Sequence, residues 1–410
     1  MERRRVFVTG LGIVSPHGDS PDDMFRRIGG GESAIRKYHF DREGREADRL
    51  VARVEGNPDG EFTPSQKFAI DPAAQIGIVA GNRALADAGL IGRAELLRDA
   101  GLYFGASYGA TALDEVFENF YARKSKRNKP TVVARTMPNA TAAHLSMQHG
   151  ILGPAYTYSV ACASSAIAIG EAFRAVRDGY LEVAVAGGTQ ATALDAILCG
   201  WEAMSVLAKE HPDGPAASVR PFDVARSGFA IGEGAAALIL ECESRVLARG
   251  GTPIAELVGY GASSDAFNIT QPLQAGQARC MTAAMADAGI GPEVVGYVNA
   301  HATATKVGDV VEIRAIREAF GAHAARLAVS STKSMHGHLV EAAGALELVV
   351  TVLALSTRFL PPTANLTEPD PECDLDLVPR VGRAAADLEY AMSNSFAFGG
   401  SNVSLLLKRV

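Results

Sequence analysis

The stretch that decides the fold is Tyr158-Ser159-Val160-Ala161-Cys162-Ala163-Ser164-Ser165-Ala166. An apolar, strand-like approach over residues 155–160 leads into a single cysteine, and small residues follow it at once. From Ala166 to Phe173, small and apolar side chains recur with helical spacing, which predicts a buried helix. The sequence therefore predicts a strand, a sharp turn at the cysteine, and a helix inside the protein.

Cys162 has a chemical interpretation at this predicted turn. The first amide groups of a helix have no partner within the helix, and the positive end of the helix dipole lies there. We therefore expect the position to favour the thiolate, which is the form that attacks carbonyl groups. The alternative is that Cys162 is only a small buried hydrophobic residue, as most free cysteines are.

Strands and helices alternate on both sides of this stretch. Upstream, we predict a strand with a glycine turn over residues 6–14 and a polar surface excursion over 36–66. Downstream, the alternation starts again near residue 252. Such alternation implies mostly parallel, buried sheets covered by helices. We predict an α/β fold of two similar halves, residues 1–250 and 251–410.

Composition excludes several classes of protein. The 410 residues carry 39 basic and 46 acidic side chains, a net charge of −7, which gives no electrostatic case for nucleic acid or an anionic membrane. The five cysteines include no C-x-x-C pair, which argues against a disulfide framework or a zinc cluster and favours the cytoplasm. No secretion signal is expected after the basic start. The longest apolar run, residues 346–355, contains Glu347 and is too short to span a membrane.

Three further polar clusters lie in the second half. Asn299–Thr305 places a histidine at the end of a predicted strand, with hydroxyl groups two and four residues later. Ser331–His338 places a lysine and two histidines just before a long apolar helix. Asn394–Asn402 is a turn of small residues with two aromatic side chains, suited to bringing backbone N–H groups close to a ligand.

Each cluster also has a purely structural interpretation. His301 could be a hydrogen-bonded structural residue, Lys333 a surface charge, and the glycine turn a simple hairpin. His336 and His338 could ligate a metal, but no carboxylate lies at ligand-like spacing and Lys333 would repel a cation. Taken together, one activated cysteine, two histidines, a lysine and a glycine turn indicate acyl transfer through a thioester, without a metal.

In this order and spacing, the motifs resemble those of the β-ketoacyl-acyl-carrier-protein synthases, and the type II elongating enzymes in particular. The resemblance covers essentially the whole chain. It implies the thiolase fold, in which two similar α/β halves stack as five layers, α-β-α-β-α, usually as a dimer. The residues that carry it are 160–165, 299–305, 331–338 and 394–402, together with 8–12, 220–223 and 232–234.

The resemblance implies an acyltransferase that catalyses a decarboxylative Claisen condensation. Cys162 would take the growing chain from the phosphopantetheine arm of an acyl carrier protein. His301 and His338 would contact the thioester carbonyl of malonyl carrier protein and assist its decarboxylation, and the enolate would attack the acyl-cysteine. Lys333 is implied to order the site, with Glu347 as its hydrogen-bonding partner.

The resemblance also assigns binding roles. Thr303 and Thr305 are implied to bond the pantetheine arm, and Phe398 to act as an aromatic gate. The backbone N–H groups of Cys162 and Phe398 are implied to form an oxyanion hole. The acyl tail is implied to lie along Gly105–Thr111. No cofactor is expected beyond the carrier protein's own phosphopantetheine.

Three alanines depart from the family pattern, namely Ala302, Ala304 and Ala397. Glycine is usual in place of the first and the last, and serine in place of Ala304. The departures predict additional methyl groups near the pantetheine tunnel. We therefore expect the substrate preference to differ from that of the housekeeping enzyme.

The pathway and the partners stay open at this point. Fatty-acid-type elongation by a homodimer is the main prediction. The alternative is the catalytic ketosynthase of a type II polyketide or polyene pathway, in a heterodimer with a cysteine-less, chain-length-factor-like subunit. The basic run Arg123–Lys129 is either a solvated loop or a docking patch for an acidic carrier protein, and His336 has no implied role.

Two other classes fit less well. A degradative thiolase would need a second catalytic cysteine near the C-terminal glycine turn, and residues 390–402 contain none. A non-enzymatic binding module would leave unexplained why Cys162, His301, Lys333 and His338 are present together.

Overall fold

The computed structural model describes residues 3–42, 44–55 and 61–410. Within them the strands are β1 Val6–Val14, β2 Arg36–Arg42, β3 Arg45–Ala52, β4 Gly101–Gly105, β5 Ala155–Tyr158, β6 Val183–Gln190, β7 Ile231–Gly232, β8 Gly234–Cys242, β9 Ala255–Ser264, β10 Val295–Asn299, β11 Ala328–Ser330, β12 Phe359–Leu360, β13 Arg383–Ala384, β14 Tyr390–Phe396 and β15 Ser401–Arg409. The helices are α1 Pro21–Gly29, α2 Pro64–Ala69, α3 Pro72–Asp87, α4 Ala94–Leu97, α5 Ala110–Phe117, α6 Val132–Thr136, α7 Ala140–His149, α8 Ser164–Arg177, α9 Asp195–Ala203, α10 Glu243–Arg249, α11 Gln274–Ala288, α12 Lys306–Phe320, α13 Lys333–His336 and α14 Ala343–Thr357.

One central sheet contains ten of these strands, in the order β11-β10-β14-β15-β9-β1-β8-β6-β4-β5. β1 and β9 meet at its centre through antiparallel pairing of Val6–Val8 with Ala255–Leu257. Outward from the centre, each set of five strands shows first two antiparallel and then two parallel pairings. The predicted similarity of the two halves is therefore confirmed by the topology, while the boundary at residue 250 stays a prediction.

The prediction of mostly parallel sheets is wrong. In the central sheet, parallel pairing is confined to the outer three strands of each half, and the long central strands β8, β1, β9 and β15 run antiparallel. The turn between β14 and β15 is only four residues long, 397–400. A connection that short joins antiparallel neighbours, because a parallel crossover needs a dozen or more residues.

β1 is one continuous strand where we predicted a glycine turn. A Cβ atom at Gly10 would lie 2.3 Å from the carbonyl oxygen of Ala84, and one at Gly12 would lie 2.0 Å from that of Ala80. Both carbonyls belong to α3. The two glycines therefore permit close packing of this helix on the strand rather than a turn.

The stretch 36–66 is polar and largely at the surface where it is described, as predicted, but the expectation that it is irregular is wrong. β2 and β3 form an antiparallel hairpin from Arg36 to Ala52, and α2 begins at Pro64. Most side chains of the hairpin are exposed, and apolar-polar alternation in β2 is limited to Tyr38 and Phe40, which is too short a pattern to mark a strand. Residues 43 and 56–60 of this stretch lie outside the described residues.

Helices lie between and outside the two halves of the sheet. α8 and α14 are largely buried and contact strands of both halves, so they form a middle layer. α3 and α7 pack on the outer face of the first half, and α11 and α12 on that of the second. The arrangement is the five-layer thiolase fold that the resemblance implied.

The apolar run over residues 346–355 belongs to a longer helix than predicted. Residues Val340–Thr357 form an 18-residue helical segment that is long and apolar enough to cross a membrane by those criteria alone. The argument from length was therefore wrong. Most of this segment is buried in the middle layer, which is also how the core helix of a soluble protein is placed.

Candidate active site

The chain turns sharply at Cys162, between β5 and α8. Ala161 has a φ of +43°, in the left-handed region that is costly for a residue with a Cβ atom. The Ser164 hydroxyl holds the turn, because it accepts a hydrogen bond from the Val160 N–H at 2.8 Å and donates one to the Ala161 carbonyl at 2.7 Å. Cys162 therefore precedes the first turn of a buried helix, as predicted.

The structure brings Cys162 together with both predicted histidines. Nε2 of His338 lies 2.9 Å from Sγ of Cys162. The rings of His301 and His338 have centroids 5.4 Å apart and planes at 83°. The cysteine sulfur and one nitrogen of each ring all lie within 4.8 Å of one another, and all three residues are buried. This cluster joins the first half of the chain to two turns of the second.

Three ligand atoms this close could in geometry hold a metal ion. Burial lowers the pKa values of both histidines, and the charge of Lys333, which reaches both rings, lowers them further. The same positive charge would oppose a cation bound between the rings. We therefore keep the prediction that the site works without a metal.

Burial dominates the electrostatics of Cys162. It raises the pKa of the thiol to about 12, and the nearby Glu341 acts in the same direction. Lys333 and the backbone N–H groups of Phe398 and Cys162 lower this pKa without offsetting the burial. The expectation that the helix end favours a standing thiolate is therefore wrong. The helix dipole contributes roughly 0.3–1 kcal/mol, whereas the rise in pKa that full burial can cause corresponds to about 4–7 kcal/mol.

Both histidines are neutral in this setting. Burial, followed by the charge of Lys333, holds the pKa of His301 and His338 well below 6.5. Nε2 of a neutral His338 can accept the proton of the Cys162 thiol across their 2.9 Å contact. The geometry therefore supports a nucleophile that is formed by proton transfer within the pair.

Alkylation of Cys162 by iodoacetamide should show this directly. Because the pKa of about 12 lies above the ordinary value of 9.0, the thiolate fraction should grow about tenfold per pH unit through pH 9. Peptide mass spectrometry measures the rate at each cysteine, and the partly exposed Cys199 is the internal control. A rate at Cys162 that levels off at or below pH 8 would contradict the burial argument.

Lys333 and Glu347 form a buried ion pair beside the histidines. Their side chains are 0% and 1% exposed, and Nζ of Lys333 donates to Oε1 of Glu347. Burial raises the pKa of Glu347 to about 7, and the lysine opposes that rise. Oε2 of Glu347 has no hydrogen-bond partner among the described residues. Lys333 is thus held by one carboxylate while its charge acts on both imidazoles.

Glu312 fixes the backbone at His301, and no sequence motif marks this residue. Its carboxylate accepts the N–H groups of His301 at 2.9 Å and of Ala302 at 2.7 Å. The Asn394 amide donates to the same carboxylate at 3.2 Å. The first histidine is therefore held by α12 and by the strand that leads to the glycine turn.

A cavity of about 720 Å³ leads to Cys162, and Thr303 and Thr305 line it. Their hydroxyl oxygens lie 3.4 Å apart, and that of Thr305 also accepts the N–H of Gly308 as the N-cap of α12. Of the two predicted pantetheine contacts, the Thr303 hydroxyl is therefore the more available for a hydrogen bond to the arm.

The three unusual alanines do not share one location. Ala302 and Ala397 line the cavity, as predicted. Ala304 lies instead in a small separate core with Val219 and Ala230, so the prediction for that methyl group is wrong.

Aromatic rings form a row along one wall of the cavity. Phe398 packs on Trp201 with centroids 6.2 Å apart and a tilt of 30°. Trp201 meets Phe229 edge-on at 5.7 Å, and Phe229 meets His338 edge-on at 5.2 Å. Of this row, only Phe398 and His338 lie in motifs that predict a role in the site, because Trp201 and Phe229 belong to a segment with no catalytic motif. Any movement of Phe398 must break its contact with Trp201.

Gly105–Thr111, the predicted path of the acyl tail, does not line this cavity. A Cβ atom at Gly105 would lie 2.3 Å from the backbone nitrogen of Ser165, so β4 and α8 are in close contact there. Ser107 hydrogen-bonds the carboxyl group of Glu341, whose pKa is raised to about 7 by burial. The path of the acyl tail stays a prediction.

The chain is similar to known proteins along its whole length. Residues 3–245 match the family described as beta-ketoacyl synthase, N-terminal domain, and residues 254–367 match its C-terminal domain. The 3-oxoacyl-[acyl-carrier-protein] synthase 2 of Vibrio cholerae is 40% identical over 417 residues, covering 100% of both chains. The solved ishigamide ketosynthase/chain length factor is 31% identical with a TM-score of 0.90, and a type II polyketide acyl carrier protein in complex with its ketosynthase is 28% identical with a TM-score of 0.89; each match covers 100% of both chains.

Proposed function

This chain belongs to the β-ketoacyl synthase family, and from that premise we propose how its residues carry out the reaction. The chain is an acyltransferase that condenses malonyl-acyl carrier protein with an acyl chain to give β-ketoacyl carrier protein, as in fatty-acid elongation. The observation that supports the residue assignment is the 2.9 Å contact between Cys162 and His338, with His301 beside it.

The first half-reaction loads the nucleophile. The Cys162 thiol gives its proton to Nε2 of His338 as the sulfur attacks the thioester carbonyl of the acyl carrier protein. The oxyanion of the tetrahedral intermediate accepts the backbone N–H groups of Cys162 and Phe398, which already act on this sulfur. The pantetheine thiolate leaves with the proton from His338, so both groups end neutral.

The second half-reaction uses both rings as donors. The Nε2–H tautomers of His301 and His338 donate to the thioester oxygen of malonyl carrier protein, which stabilises the enolate as CO₂ leaves. The enolate carbon attacks the acyl-cysteine, the C–S bond breaks, and the cysteine is released as a thiolate. It takes up one proton from solvent, which is the proton that the overall condensation consumes. Nδ1 of each ring has no partner among the described residues, so no hydrogen bond on Nδ1 ties either ring to one tautomer.

The function is tested by reconstitution with purified components. The chain is incubated first with an acyl carrier protein loaded with one of a panel of acyl chains, and then with malonyl carrier protein. The proposal expects an acyl adduct on the Cys162 peptide, and then a β-ketoacyl carrier protein with release of CO₂. A well-folded chain that shows neither adduct nor product across the panel would overturn it.

A second candidate is the catalytic ketosynthase of a type II polyketide pathway. The similarity to the ishigamide ketosynthase/chain length factor and to the polyketide carrier-protein complex favours it. Such a chain would work beside a different, cysteine-less subunit. Full elongation activity of the chain on its own would count against this candidate, and activity that appears only with a co-purifying second chain would support it.

The exposed edge of the sheet supports a dimer. β5 is the last strand and pairs only with β4 within the sheet, and Tyr156 on it is 53% exposed. Leu152 and Met147, just before it, are 72% and 70% exposed. Unpaired strand edges with apolar side chains are normally covered. We therefore propose a homodimer through this edge; sedimentation of the purified chain measures it, and a monomer at working concentration would contradict it.

The basic run Arg123–Lys129 supports a docking surface for the acidic carrier protein. Arg123 pairs with Glu118, and Lys129 pairs with Glu115 and lies 4.9 Å from the ring centre of Phe68. Through that contact the run adjoins α2, which carries Lys67. Within the run, the cations without an acidic partner among the described residues are Lys124, Lys126 and Arg127.

Reversing these three charges to glutamate should weaken carrier-protein binding and spare the chemistry. We expect KM for acyl carrier protein to rise about tenfold or more, since mutating such exposed charges slows association. kcat with a small acyl thioester that lacks the protein should stay unchanged. Arg326→Glu, an exposed cation in the second half, is the control. An unchanged KM in the triple variant would leave the run as a solvated loop.

Two further features remain proposals. We propose that no cofactor is needed beyond the carrier protein's phosphopantetheine arm, because the side chains and backbone N–H groups assigned above account for each step of the thioester chemistry. We propose a cytoplasmic location, which the five free cysteines favour.

A further inference from the structure

His336 is fully buried, and the mechanism above does not use it. Its Nδ1 lies 2.8 Å from the carbonyl oxygen of Gly337, and its Nε2 lies 2.9 Å from Oγ1 of Thr332. Because a carbonyl oxygen only accepts, Nδ1 carries the proton and Nε2 accepts the hydroxyl of Thr332. The ring is therefore held in one neutral tautomer, and burial together with Lys333 keeps its pKa well below 6.5.

The Gly337 carbonyl belongs to the peptide unit that leads into His338. The N–H of the same unit donates to the carbonyl of Ala230 at 2.8 Å, so partners on two sides hold the peptide plane. Gly337 has a φ of +70°, and a Cβ atom there would lie 2.8 Å from the same Ala230 oxygen. The backbone thus enters His338 in a conformation suited to glycine, and the His336 ring is the side-chain contact that secures it.

The ring of His338 has no second anchor of its own. Its Nδ1 has no hydrogen-bond partner within the described part of the chain. A histidine ring in a functional site is usually oriented by a hydrogen bond on its second nitrogen. Here the direction of Nε2 toward Cys162 depends instead on the backbone that carries the ring and on the edge-on contact with Phe229.

We propose that His336 is a positioning residue for His338. Its Nδ1–H hydrogen bond fixes the Gly337 peptide plane and thereby sets the contact between His338 and Cys162. The proposal rests on the proposed roles of those two residues. It assigns a role to the one histidine of the Ser331–His338 motif to which the resemblance assigned none.

Two substitutions separate the two contacts of the ring. The side-chain amide of asparagine can reach the position of Nδ1, whereas that of glutamine reaches the position of Nε2. We therefore expect His336→Asn to keep the bond to Gly337 and to acylate Cys162 within about threefold of the parent rate. His336→Gln should lose that bond and acylate it roughly 10²-fold more slowly, the effect of a misplacement of ~1 Å. Thr332→Val removes only the other contact and should change the rate little.

The measurements distinguish positioning from a general loss of structure. The rate of single-turnover acylation is normalised to the amount of folded enzyme, and the midpoint of thermal unfolding is measured for each variant. Alkylation of Cys162 by iodoacetamide gives a readout that depends on the His338 contact and needs no carrier protein, so a failure of the proposed function is seen separately. A purely structural role predicts lower midpoints with unchanged rates per folded molecule.

Two results would overturn the proposal. One is a folded His336→Gln variant with parental acylation and alkylation rates. The other is a His336→Asn variant as slow as His336→Gln in both assays. If the glutamine variant does not fold, His336→Ala, which removes both contacts, takes its place in the comparison.

Discussion

Replacing Cys162 by alanine is expected to abolish transfer of a radiolabelled acyl chain from carrier protein to enzyme, while decarboxylation of malonyl carrier protein continues. The sulfur is the only atom that the first half-reaction bonds to the acyl group. The decarboxylation step needs His301, His338 and Lys333, and alanine leaves all three in place. The expected product is acetyl carrier protein, because the enolate has no acyl-cysteine to attack.

The measurement combines covalent labelling with carbon dioxide release. Cys199→Ala is the matched control, since Cys199 is a partly exposed cysteine outside the cluster. Undiminished labelling of Cys162→Ala would contradict the assignment of Cys162 as the nucleophile. If the variant lost decarboxylation as well as labelling, Cys162 would be needed for both half-reactions. Decarboxylation could then not be assigned to residues of the second half alone.

The turn at Cys162 was open to prediction from the sequence because its determinants are local. A strand, small residues and a helical period follow one another within 155–173, and the structure contains them in that order. The pKa of the thiol was not open to prediction in this way. Its largest cause is burial by both halves, and Glu341 and Lys333 act on it from positions far along the chain.

The same distinction applies to the rest of the fold. Alternating elements predicted two similar halves, because periodicity is a local signal. The antiparallel centre of the sheet depends on which strands become neighbours, and no local pattern records that. Gly10 and Gly12 suggested a turn, but glycine is needed there because carbonyl groups of α3 lie too close to the strand for a Cβ atom.

Partners of the catalytic residues were the hardest to predict. Glu312 is an ordinary helical glutamate in the sequence, and only the fold places its carboxylate on the backbone of His301. Trp201 lies outside every catalytic motif in the sequence, and only the fold places it in the cavity wall beside Phe398. The resemblance supplied residues that the family uses directly, whereas residues that hold those groups in place had to be found in the structure.

Replacing Lys333 by methionine is expected to cost both stability and decarboxylation, for separable reasons. Breaking a buried ion pair from one side costs about 3–5 kcal/mol of unfolding free energy, because Glu347 is left buried without its cation. Loss of a fixed positive charge beside the developing enolate is expected to lower decarboxylation by roughly 10²–10³-fold, the effect of removing one such stabilising group.

The pH dependence of stability follows from Glu347. Its pKa in the folded parent is about 7, above the ordinary value of 4.5, and it should rise further without Lys333. A group whose folded pKa is raised stabilises the protein below its unfolded pKa and loses that contribution as pH rises through the folded value. Below pH 7 this carboxyl group is protonated in both folded proteins, so the destabilisation of Lys333→Met should be smallest there and should grow as pH rises above 7, as denaturant unfolding at several pH values would show.

The double variant Lys333→Met, Glu347→Met separates the two effects. It removes the uncompensated carboxyl group, so we expect it to recover most of the unfolding free energy, as buried ion pairs replaced by apolar residues often do. It does not restore a positive charge near His301 and His338, so decarboxylation should stay low. A double variant that regains both stability and decarboxylation would show that Lys333 acts only by neutralising Glu347, and the electrostatic role assigned to the lysine would then be wrong.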